Sequence, residues 1–366
     1  MPRNTRRSPG EGTITQRKDG RWQASLQVDG VRKAVYGKTR QECAARLADL
    51  QRQVAKAGTL PDPGKRTVND LLDAWLEVKA PTVRPRTLHD YHAICDRYVR
   101  SPLGKVRLNR LTPDRIQRLY ARYQTRAQSR TALKAHRVLS QALALAVRWG
   151  WIGNNPCDRV DTPRYRPERK QVWTPAELRR FLDGTTGHRL HPLWLFLATT
   201  GCRLGEALAL EWGGVDLAAG VVTINKAGQH IGGQWTVTEP KTRSGIRTIT
   251  LPREAIGALR QQAAYRLAHG GGALVFASDS GQSLTNGAIA WHMRRECERL
   301  ALPRITPHGL RHLHASLLLA EGLPLPEVSR RLGHASPAIT MAIYSHAVRD
   351  DSAAVEAIER ALASRG

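Results

Sequence analysis

The segment 305–346 is divided so closely by helix-start and helix-end signals that it admits only short helices. Thr306 is a favourable N-cap and Pro307 suits the first helical position, so a helix is predicted to begin there. A glycine ends each of the first two helices, at Gly322 and Gly333, and a Ser-Pro pair begins a third. The pattern indicates a helical layer whose loops fall at fixed points of the chain.

Side chains suited to phosphate chemistry lie at the boundaries of these helices. His308 and Arg311 are three residues apart and therefore share a helix face, and His334 directly follows the second helix. Tyr344 belongs to the third helix. Upstream, Arg203 follows a Thr-Gly-Cys turn. Each piece alone is typical of an ordinary surface or packing residue, so only their order and spacing carry an argument.

Together these pieces resemble the signature of tyrosine recombinases of the phage-integrase type. The run 200–206, Thr-Gly-Cys-Arg-Leu-Gly-Glu, resembles the family's first arginine block, and 240–244, Pro-Lys-Thr-Arg-Ser, its hairpin lysine. The resemblance covers the whole chain and is most specific between Arg203 and Tyr344. It implies these catalytic residues: Arg203, Lys241, His308, Arg311, His334 and Tyr344.

The resemblance also implies a role for each residue. Tyr344 is expected to be the nucleophile, and Arg203 and Arg311 to bind the non-bridging phosphate oxygens. His308 is expected to exchange the tyrosine proton, and Lys241 to protonate the departing 5′ oxygen.

The resemblance also implies roles for a second histidine and a glutamate, and the chain departs from the family pattern at two points. His334 is expected to hydrogen-bond a phosphate oxygen, and Glu206 to orient an arginine or His308 without touching DNA. Gly309 stands where the family often has aspartate, and it is expected to loosen the start of its helix. Leu313 and His314 replace a commoner small or aromatic pair.

A catalytic metal is not expected, because no carboxylate or cysteine accompanies the histidines of this helix. Neither a metal nor a nucleotide cofactor is required by the resemblance.

The formal net charge of +26 over 366 residues points to a polyanionic partner, with nucleic acid favoured over a membrane surface. The sequence contains neither an apolar run long enough to span a bilayer nor a secretory signal. Five cysteines are scattered without paired spacing, which favours reduced thiols in the cytoplasm. A nucleoid-associated protein of a bacterial host is therefore expected.

The fold is predicted to be multidomain and mainly α with small β sheets. It comprises an N-terminal three-stranded sheet plus helix, a helical core-binding domain and a mixed α/β catalytic domain. The predicted boundaries are a basic tail at 1–11, an arm-type DNA-binding domain at 12–58, a linker at 59–66, the core-binding domain at 67–160, a linker at 161–171, the catalytic domain at 172–350 and a tail helix at 351–366.

Three alternating segments, 13–17, 22–28 and 32–36, followed by a helix over 40–57, resemble the arm-site domain of phage integrases. The sheet face bearing Trp22 and Arg32 is predicted to enter a DNA groove. The helix is predicted to pack through Ala44, Leu47, Ala48 and Leu50. DNA-binding candidates here are Arg17, Lys18, Arg21, Arg32 and Lys33. The alternative is a structural subdomain with solvated charges.

Four helices are predicted between residues 67 and 150. Thr67 and Thr87 cap the first two, the third starts at Thr112, and the fourth starts near Thr131. Their basic faces favour DNA contact over a merely solvated surface. The candidates are Arg115, Arg118, Arg122 and Lys134, and in the catalytic domain Arg243 and Arg247. Strands are predicted there over 221–224, 235–238 and 246–251.

The sequence thus favours a site-specific recombinase of a temperate phage or integrative element, acting through a 3′-phosphotyrosine link and a four-way junction. Expected partners are double-stranded DNA attachment sites, three further copies in a homotetramer, and accessory bending or directionality factors, with no membrane. The alternatives are a chromosome-dimer-resolving recombinase and a non-catalytic DNA-binding regulator with a decayed site.

Overall fold

A computed structural model of the chain describes residues 12–28, 31–57, 65–125, 128–166, 172–240, 245–334 and 336–344. At Tyr344 it describes the backbone alone. The chain divides into two compact units, Met1–Pro167 and Glu168–Gly366. The fold is mainly helical with small sheets, as predicted. No helix among these residues is long and apolar enough to cross a membrane.

The first module of the amino-terminal unit is an antiparallel sheet in the order β1-β2-β3 with one helix. Its elements are β1 (Thr13–Gln16), β2 (Trp22–Val28), β3 (Val31–Gly37) and α1 (Arg40–Ala57). The predicted Asp19-Gly20 turn is confirmed, with Gly20 at φ 81°, a conformation that favours glycine. The turn predicted at 29–30 lies outside the described residues.

Strand register shows that the prediction of one sheet face bearing both Trp22 and Arg32 is wrong. Arg32 pairs with Gln27 and Trp22 pairs with Gly37. Because alternate strand residues point to opposite faces, Trp22 lies on the face that packs on α1 and Arg32 on the open face. A one-residue difference in strand register changes the face on which a side chain lies, and the sequence alone does not determine that register.

The face of α1 that packs on the sheet also differs from the prediction. Leu47 and Leu50 are buried as expected, but Ala44 and Ala48 are exposed and Cys43 is fully buried instead. Residues 43, 47 and 50 fall on one stripe of a 3.6-residue helix, so the cysteine takes the place assigned to the alanines.

The second part of this unit is a helical bundle with its own core. Its helices are α2 (Val68–Lys79), α3 (Pro85–Ile94), a π-helical turn (Cys95–Arg100) leading into α4 (Ser101–Leu103), α5 (Pro113–Gln124) and α6 (Ser129–Arg148). The predicted cap at Thr67 is confirmed by a reciprocal capping box with Asp70. The predicted cap at Thr87 is wrong, because the helix already begins at Pro85 behind an extended Arg84.

The carboxy-terminal unit surrounds a larger core that includes Trp173, Phe181, Trp194 and Phe196. Its helices are α7 (Pro175–Gly184), α8 (His191–Thr200), α9 (Leu204–Leu208), α10 (Arg253–Ala268), α11 (Asn286–Arg299), α12 (Pro307–Ala320), α13 (Leu325–Leu332) and α14 (Pro337–Tyr344). The three short helices predicted for the 305–346 segment are confirmed. Thr306 caps α12 by accepting a bond from the Gly309 amide.

Two small antiparallel sheets lie between α9 and α10. Their strands are β4 (Val215–Asp216), β5 (Val221–Ile224), β6 (Ala227–Ile231), β7 (Gln234–Thr238) and β8 (Arg247–Thr250). One sheet has the order β4-β5-β8, and β6 pairs with β7 as a hairpin. The sequence predicted three of these strands. It missed β4 and β6, because β4 is only two residues long and Gly228 interrupts the apolar pattern of β6.

Two glycines end the helices that lead into the site. Gly201 follows α8 at φ 64° and Gly333 follows α13 at φ 69°, both in the left-handed region. A β-carbon on Gly201 would lie 2.5 Å from Cδ2 of His314, so the turn also needs glycine for space. The carbonyl oxygens of these two turns accept hydrogen bonds from Arg311 and Arg203.

Candidate active site

Arg203 is the N-cap residue of α9 and is fixed at both ends of its side chain. Its backbone N–H and its Nη1 donate to the two oxygens of Glu206, each at 2.8 Å. Its Nη2 donates to the carbonyl of Gly333 at 3.3 Å. The side chain remains 45% exposed, so it keeps donor capacity facing solvent.

Glu206 is the buried carboxylate on which the cluster depends. It binds Arg203 and, at 2.8 Å, Nη2 of Arg247. Burial by itself would raise the pKa of Glu206, but the hydrogen bond and charge of Arg247, followed by those of Arg203, outweigh it and lower the pKa. The carboxylate is therefore ionised at neutral pH. Glu206 thus binds two arginines, and its role in orienting them stays a prediction.

Arg311 lies on the first turns of α12 and is only 2% exposed. Its Nη1 donates to the carbonyl of Gly201 at 2.8 Å, while its Nη2 is buried with no hydrogen-bond partner within the described part of the chain. Burial, and then the charge of Arg203, lower the pKa of Arg311 to about 10. A buried cationic donor without an acceptor is a costly feature, and an anionic ligand would supply what it lacks.

His334 follows the Gly333 turn and is nearly buried. Its Nδ1 lies 2.7 Å from the hydroxyl of Thr340, a fully buried residue of α14. Burial lowers the pKa of His334 to about 4, assisted by the charges of Arg311 and Arg203. The imidazole is thus neutral at pH 7, and Arg203 bonds the carbonyl of Gly333, the residue directly before His334.

His308 lies in the first turn of α12 and is exposed, as a group that meets a ligand must be. The ring of His312, one turn later, stands nearly perpendicular to it, with the ring centroids 4.6 Å apart. His314 turns to the other side of the helix and is buried. It lies 2.9 Å from the carbonyl of Ala198 through Nδ1 and receives a bond from Arg331 at Nε2.

Three predicted site residues fall on parts of the chain for which contacts are not described. Lys241 and Arg243 lie in the segment 241–244, outside the described residues, between the end of β7 and the start of β8. Tyr344 is the last residue of α14 and only its backbone is described. The structure therefore brings together Arg203, Glu206, Arg311 and His334 with the helix that carries the tyrosine.

Arg247 was predicted to contact DNA, and the structure gives it another place. It is 8% exposed, and its Nε, Nη1 and Nη2 all donate to protein acceptors. A signal for this exists in the sequence, because the strand Arg-Thr-Ile-Thr alternates and puts Arg247 on the same face as the core residue Ile249.

The predicted DNA-binding residues of the amino-terminal unit are distributed over exposed positions. Arg17, Lys18 and Arg21 flank the β1–β2 turn, where Asp19 accepts ion pairs from both arginines. Arg32 donates to Ser25 on the open sheet face. Lys33 is half-buried and belongs to the opposite face.

In the helical bundle, four predicted contacts lie on solvent-facing surfaces of α5 and α6: Arg115, Arg118, Arg122 and Lys134. Arg118 is paired with Asp114 one turn earlier. These positions are compatible with a basic surface, and their contact with DNA stays a prediction.

The described residues contain no group of three histidine, cysteine, aspartate or glutamate side chains that could hold a metal ion. The cluster is instead one of hydrogen-bond donors, with Arg203 and Arg247 bound to one carboxylate and Arg311 bound to the carbonyl of Gly201. Such a set is suited to an oxyanion with at least two free oxygens.

Comparison with known proteins gives matches along most of the chain. Residues 172–350 match the model of the phage integrase family, and residues 67–124 match that of the phage integrase N-terminal SAM-like domain. A XerC-like tyrosine recombinase of Caldanaerobacter subterraneus is 28% identical over 87% of this chain and 88% of its own length. An integrase of Streptomyces ambofaciens is 28% identical over 94% of each chain. A putative prophage phiRv2 integrase of Mycobacterium tuberculosis is 26% identical over 96% of each.

Solved structures share the fold. The Tn1549 transposon integrase in complex with transposon right end DNA superposes with a TM-score of 0.68 at 22% identity, covering 81% of this chain and 99% of that one. A lambda integrase tetramer bound to a Holliday junction superposes with a TM-score of 0.61 at 18% identity, covering 94% and 98%.

Proposed function

The chain belongs to the phage integrase family of tyrosine recombinases, and we propose that it cuts and rejoins DNA at attachment sites through a covalent bond between Tyr344 and a 3′-phosphate. It is a site-specific recombinase, and its substrate is double-stranded DNA.

One observation carries the proposal: two arginines and a neutral histidine are held together by protein hydrogen bonds, with donor capacity left over. The carbonyl of Gly201 accepts a hydrogen bond from Arg311, and the carbonyl of Gly333 accepts one from Arg203. Glu206 accepts a further bond from the Arg203 side chain. Donors fixed before the substrate arrives need no reorganisation when charge develops on the phosphate. The arrangement is therefore suited to stabilising the pentacoordinate phosphorus of the transition state.

The cleavage step exchanges one phosphodiester bond for another. The Tyr344 oxygen attacks phosphorus and gives its proton to His308, while the bond from phosphorus to the 5′ oxygen breaks. Lys241 protonates that leaving oxygen, and Arg203 and Arg311 bind the two non-bridging oxygens. A 5′ hydroxyl from another strand reverses the step, so no nucleotide hydrolysis is needed.

His334 contributes as a neutral donor. Because its pKa is lowered to about 4, it carries one ring proton at pH 7. If Nδ1 accepts from Thr340, that proton is on Nε2 and can be donated to a phosphate oxygen.

The working assembly is proposed to be a homotetramer on two DNA sites, acting in the cytoplasm of a bacterial host on nucleoid DNA. A tetramer on a Holliday junction has been solved for lambda integrase, whose fold this chain shares. Accessory bending or directionality factors are proposed for full attachment sites. The basic N-terminal module is proposed to bind arm sites, and Arg115, Arg118, Arg122 and Lys134 to contact core-site phosphates.

A chromosome-dimer resolvase is the second candidate, favoured by the similarity to a XerC-like recombinase. The separately cored sheet-and-helix module, with Arg17 and Arg32 exposed, favours the integrase of a mobile element instead. Such a module suits a protein that bridges two distant DNA segments.

The test is covalent trapping on a nicked DNA site whose released 5′ fragment diffuses away. Wild type is expected to form an adduct that survives denaturing electrophoresis. Tyr344→Phe is expected to bind the same DNA with unchanged affinity and to form none, since only the phenol oxygen is removed. An adduct formed equally by Tyr344→Phe would contradict the proposal.

A further inference from the structure

Arg247 occupies a central position in the catalytic unit that neither catalysis nor DNA contact explains. It is the first residue of β8, and its side chain is 6% exposed. Burying a guanidinium is unfavourable unless its donors are satisfied, and here all three of its nitrogens have partners. The Arg247 side chain therefore binds groups inside the protein.

The three bonds of Arg247 reach three separate parts of the chain. Nη2 donates to Glu206 of α9 at 2.8 Å, and Nε to the carbonyl of Arg331 near the end of α13 at 2.8 Å. Nη1 donates to the carbonyl of Gly245, in its own connecting segment, at 3.2 Å. One planar fork thus fixes the mutual positions of α9, α13 and the start of β8.

Each of these contacts lies close in sequence to a proposed catalytic residue. Glu206 is three residues from Arg203, and Arg331 is three residues before His334. Gly245 is four residues after Lys241. We infer that Arg247 is a positioning residue, which sets the geometry of Arg203, His334 and the start of β8, the strand that follows Lys241 in the chain, without touching DNA.

This inference rests on the proposed recombinase function and deepens it. The Nε of Arg247 and one N–H of each Nη already bind protein acceptors, and the side chain is only 6% exposed, so Arg247 offers a phosphate little access. Misplacing catalytic groups by about 1 Å can cost on the order of 10²-fold in rate, so a positioning residue has a measurable effect on cleavage.

The experiment compares Arg247→Met and Arg247→Lys with a matched control, Arg266→Met. Arg266 is another buried arginine of the same unit, 1% exposed, whose Nη1 donates to the carbonyl of Ser278 at 2.8 Å. Single-turnover cleavage of a nicked site, DNA affinity and urea unfolding are measured for all four proteins. The same cleavage is repeated with sulfur in place of the leaving 5′ oxygen.

Arg247→Met is expected to cut cleavage about 10²-fold while DNA affinity stays within about threefold of wild type. Arg247→Lys keeps the charge but not the planar fork, so its cleavage rate is expected to lie between those of wild type and Arg247→Met. The Arg266→Met control is expected to lose stability and to keep cleavage within a few-fold. Sulfur substitution is expected to restore part of the loss in Arg247→Met, because a thiolate leaves without a proton.

Cleavage by both Arg247 variants at the level of the Arg266→Met control would overturn the inference. So would a loss of DNA affinity parallel to the loss of cleavage, which would make Arg247 a phosphate contact. An absence of sulfur rescue would remove the link to the Lys241 segment. Should Arg247→Met not fold, the Arg247→Lys variant decides between these outcomes.

Failure of the inference and of the proposed function give different results. If wild type forms no Tyr344-dependent adduct, the proposed function fails. If wild type forms the adduct and both Arg247 variants form it equally fast, only the positioning role fails.

Discussion

Among individual residues, Arg311 shows most clearly that the site is arranged for an anion at some expense of stability. Its pKa is lowered to about 10, first by burial and then by the charge of Arg203. A pKa shift of that size corresponds to roughly 3 kcal/mol by which the folded protein disfavours the charged form. The cost is tolerated because a bound phosphate would compensate it.

Replacing Arg311 by methionine should therefore separate stability from activity. Cleavage is expected to fall by orders of magnitude, since losing one pre-organised donor costs about 2.7–4 kcal/mol. The free energy of unfolding of the DNA-free protein is expected to rise, because a buried charge has gone. Urea unfolding and single-turnover cleavage measure the two effects. Near-normal cleavage would show that Arg311 does not bind the phosphate.

His314 makes stability depend on pH. Burial lowers its pKa from 6.5 to about 4, so between these values the unfolded chain binds a proton that the folded chain does not. The stabilisation is complete above about pH 6.5 and is lost as the pH falls toward 4. This group alone should make the protein about 2 kcal/mol less stable at pH 5 than at pH 7.

His314→Gln is the matched test, because its amide can still donate to Ala198 and accept from Arg331. Urea unfolding at pH 7 and pH 5 is expected to show a smaller difference for the variant than for wild type. An identical difference in the two proteins would contradict the role assigned to His314.

At the residue scale, the sequence identified chemistry better than orientation. The Arg203-to-Glu206 spacing predicted two groups that the structure joins by hydrogen bonds, and Arg311 bonds the turn that precedes Arg203. The faces of Arg32 and Trp22 were not predicted correctly. Their orientation depends on strand register and on partners far away in sequence, and no local pattern encodes either.

Among the elements, α14 is tied to the site by one buried hydrogen bond. The Thr340 hydroxyl is 2.7 Å from Nδ1 of His334, and Thr340 lies one turn before Tyr344. The bond thus couples the orientation of the His334 ring to the position of the helix that carries Tyr344.

Thr340→Val keeps the shape of the side chain and removes its hydroxyl. Cleavage is expected to fall about tenfold or more, because the imidazole loses its anchor, while Thr340→Ser should retain most of the rate. DNA affinity serves as the control and is expected to be unchanged in both. Equal cleavage by the valine and serine variants would show that the hydroxyl has no such role.

Helix boundaries were predictable where local chemistry determines them. The caps predicted at Thr67 and Thr306 appear as expected, because each is satisfied within four residues. The start of α3 was misplaced because Pro85 sets it ahead of Thr87. Gly309 is needed for space, since a β-carbon there would lie 2.3 Å from Cγ1 of Ile305, the residue before the N-cap.

For the whole molecule, the distribution of charge indicates a division of labour. Residues 1–168 carry most of the net charge of +26, whereas the arginine cluster and the tyrosine lie beyond residue 200. DNA affinity is therefore expected to come mainly from the amino-terminal unit and the chemistry from the carboxy-terminal one.

Deletion of residues 1–60 should separate two activities. Cleavage of a short core site is expected to survive, because the arginine cluster and the basic helices α5 and α6 remain. Recombination on a full attachment site is expected to fail, since the truncated protein lacks the part proposed to bind arm sites. Both substrates are assayed side by side, and undiminished full-site recombination would favour the chromosome-dimer resolvase.

The most direct test of the central claim is to identify the bond in the trapped adduct. Wild-type protein is trapped on a nicked site, digested with protease and nuclease, and the nucleotide-bearing peptide is sequenced by mass spectrometry. The expected peptide contains Tyr344 esterified to a 3′-phosphate. A nucleotide on Tyr265 or any other residue, or a link to a 5′-phosphate, would contradict the assignment of Tyr344 and the mechanism built on it.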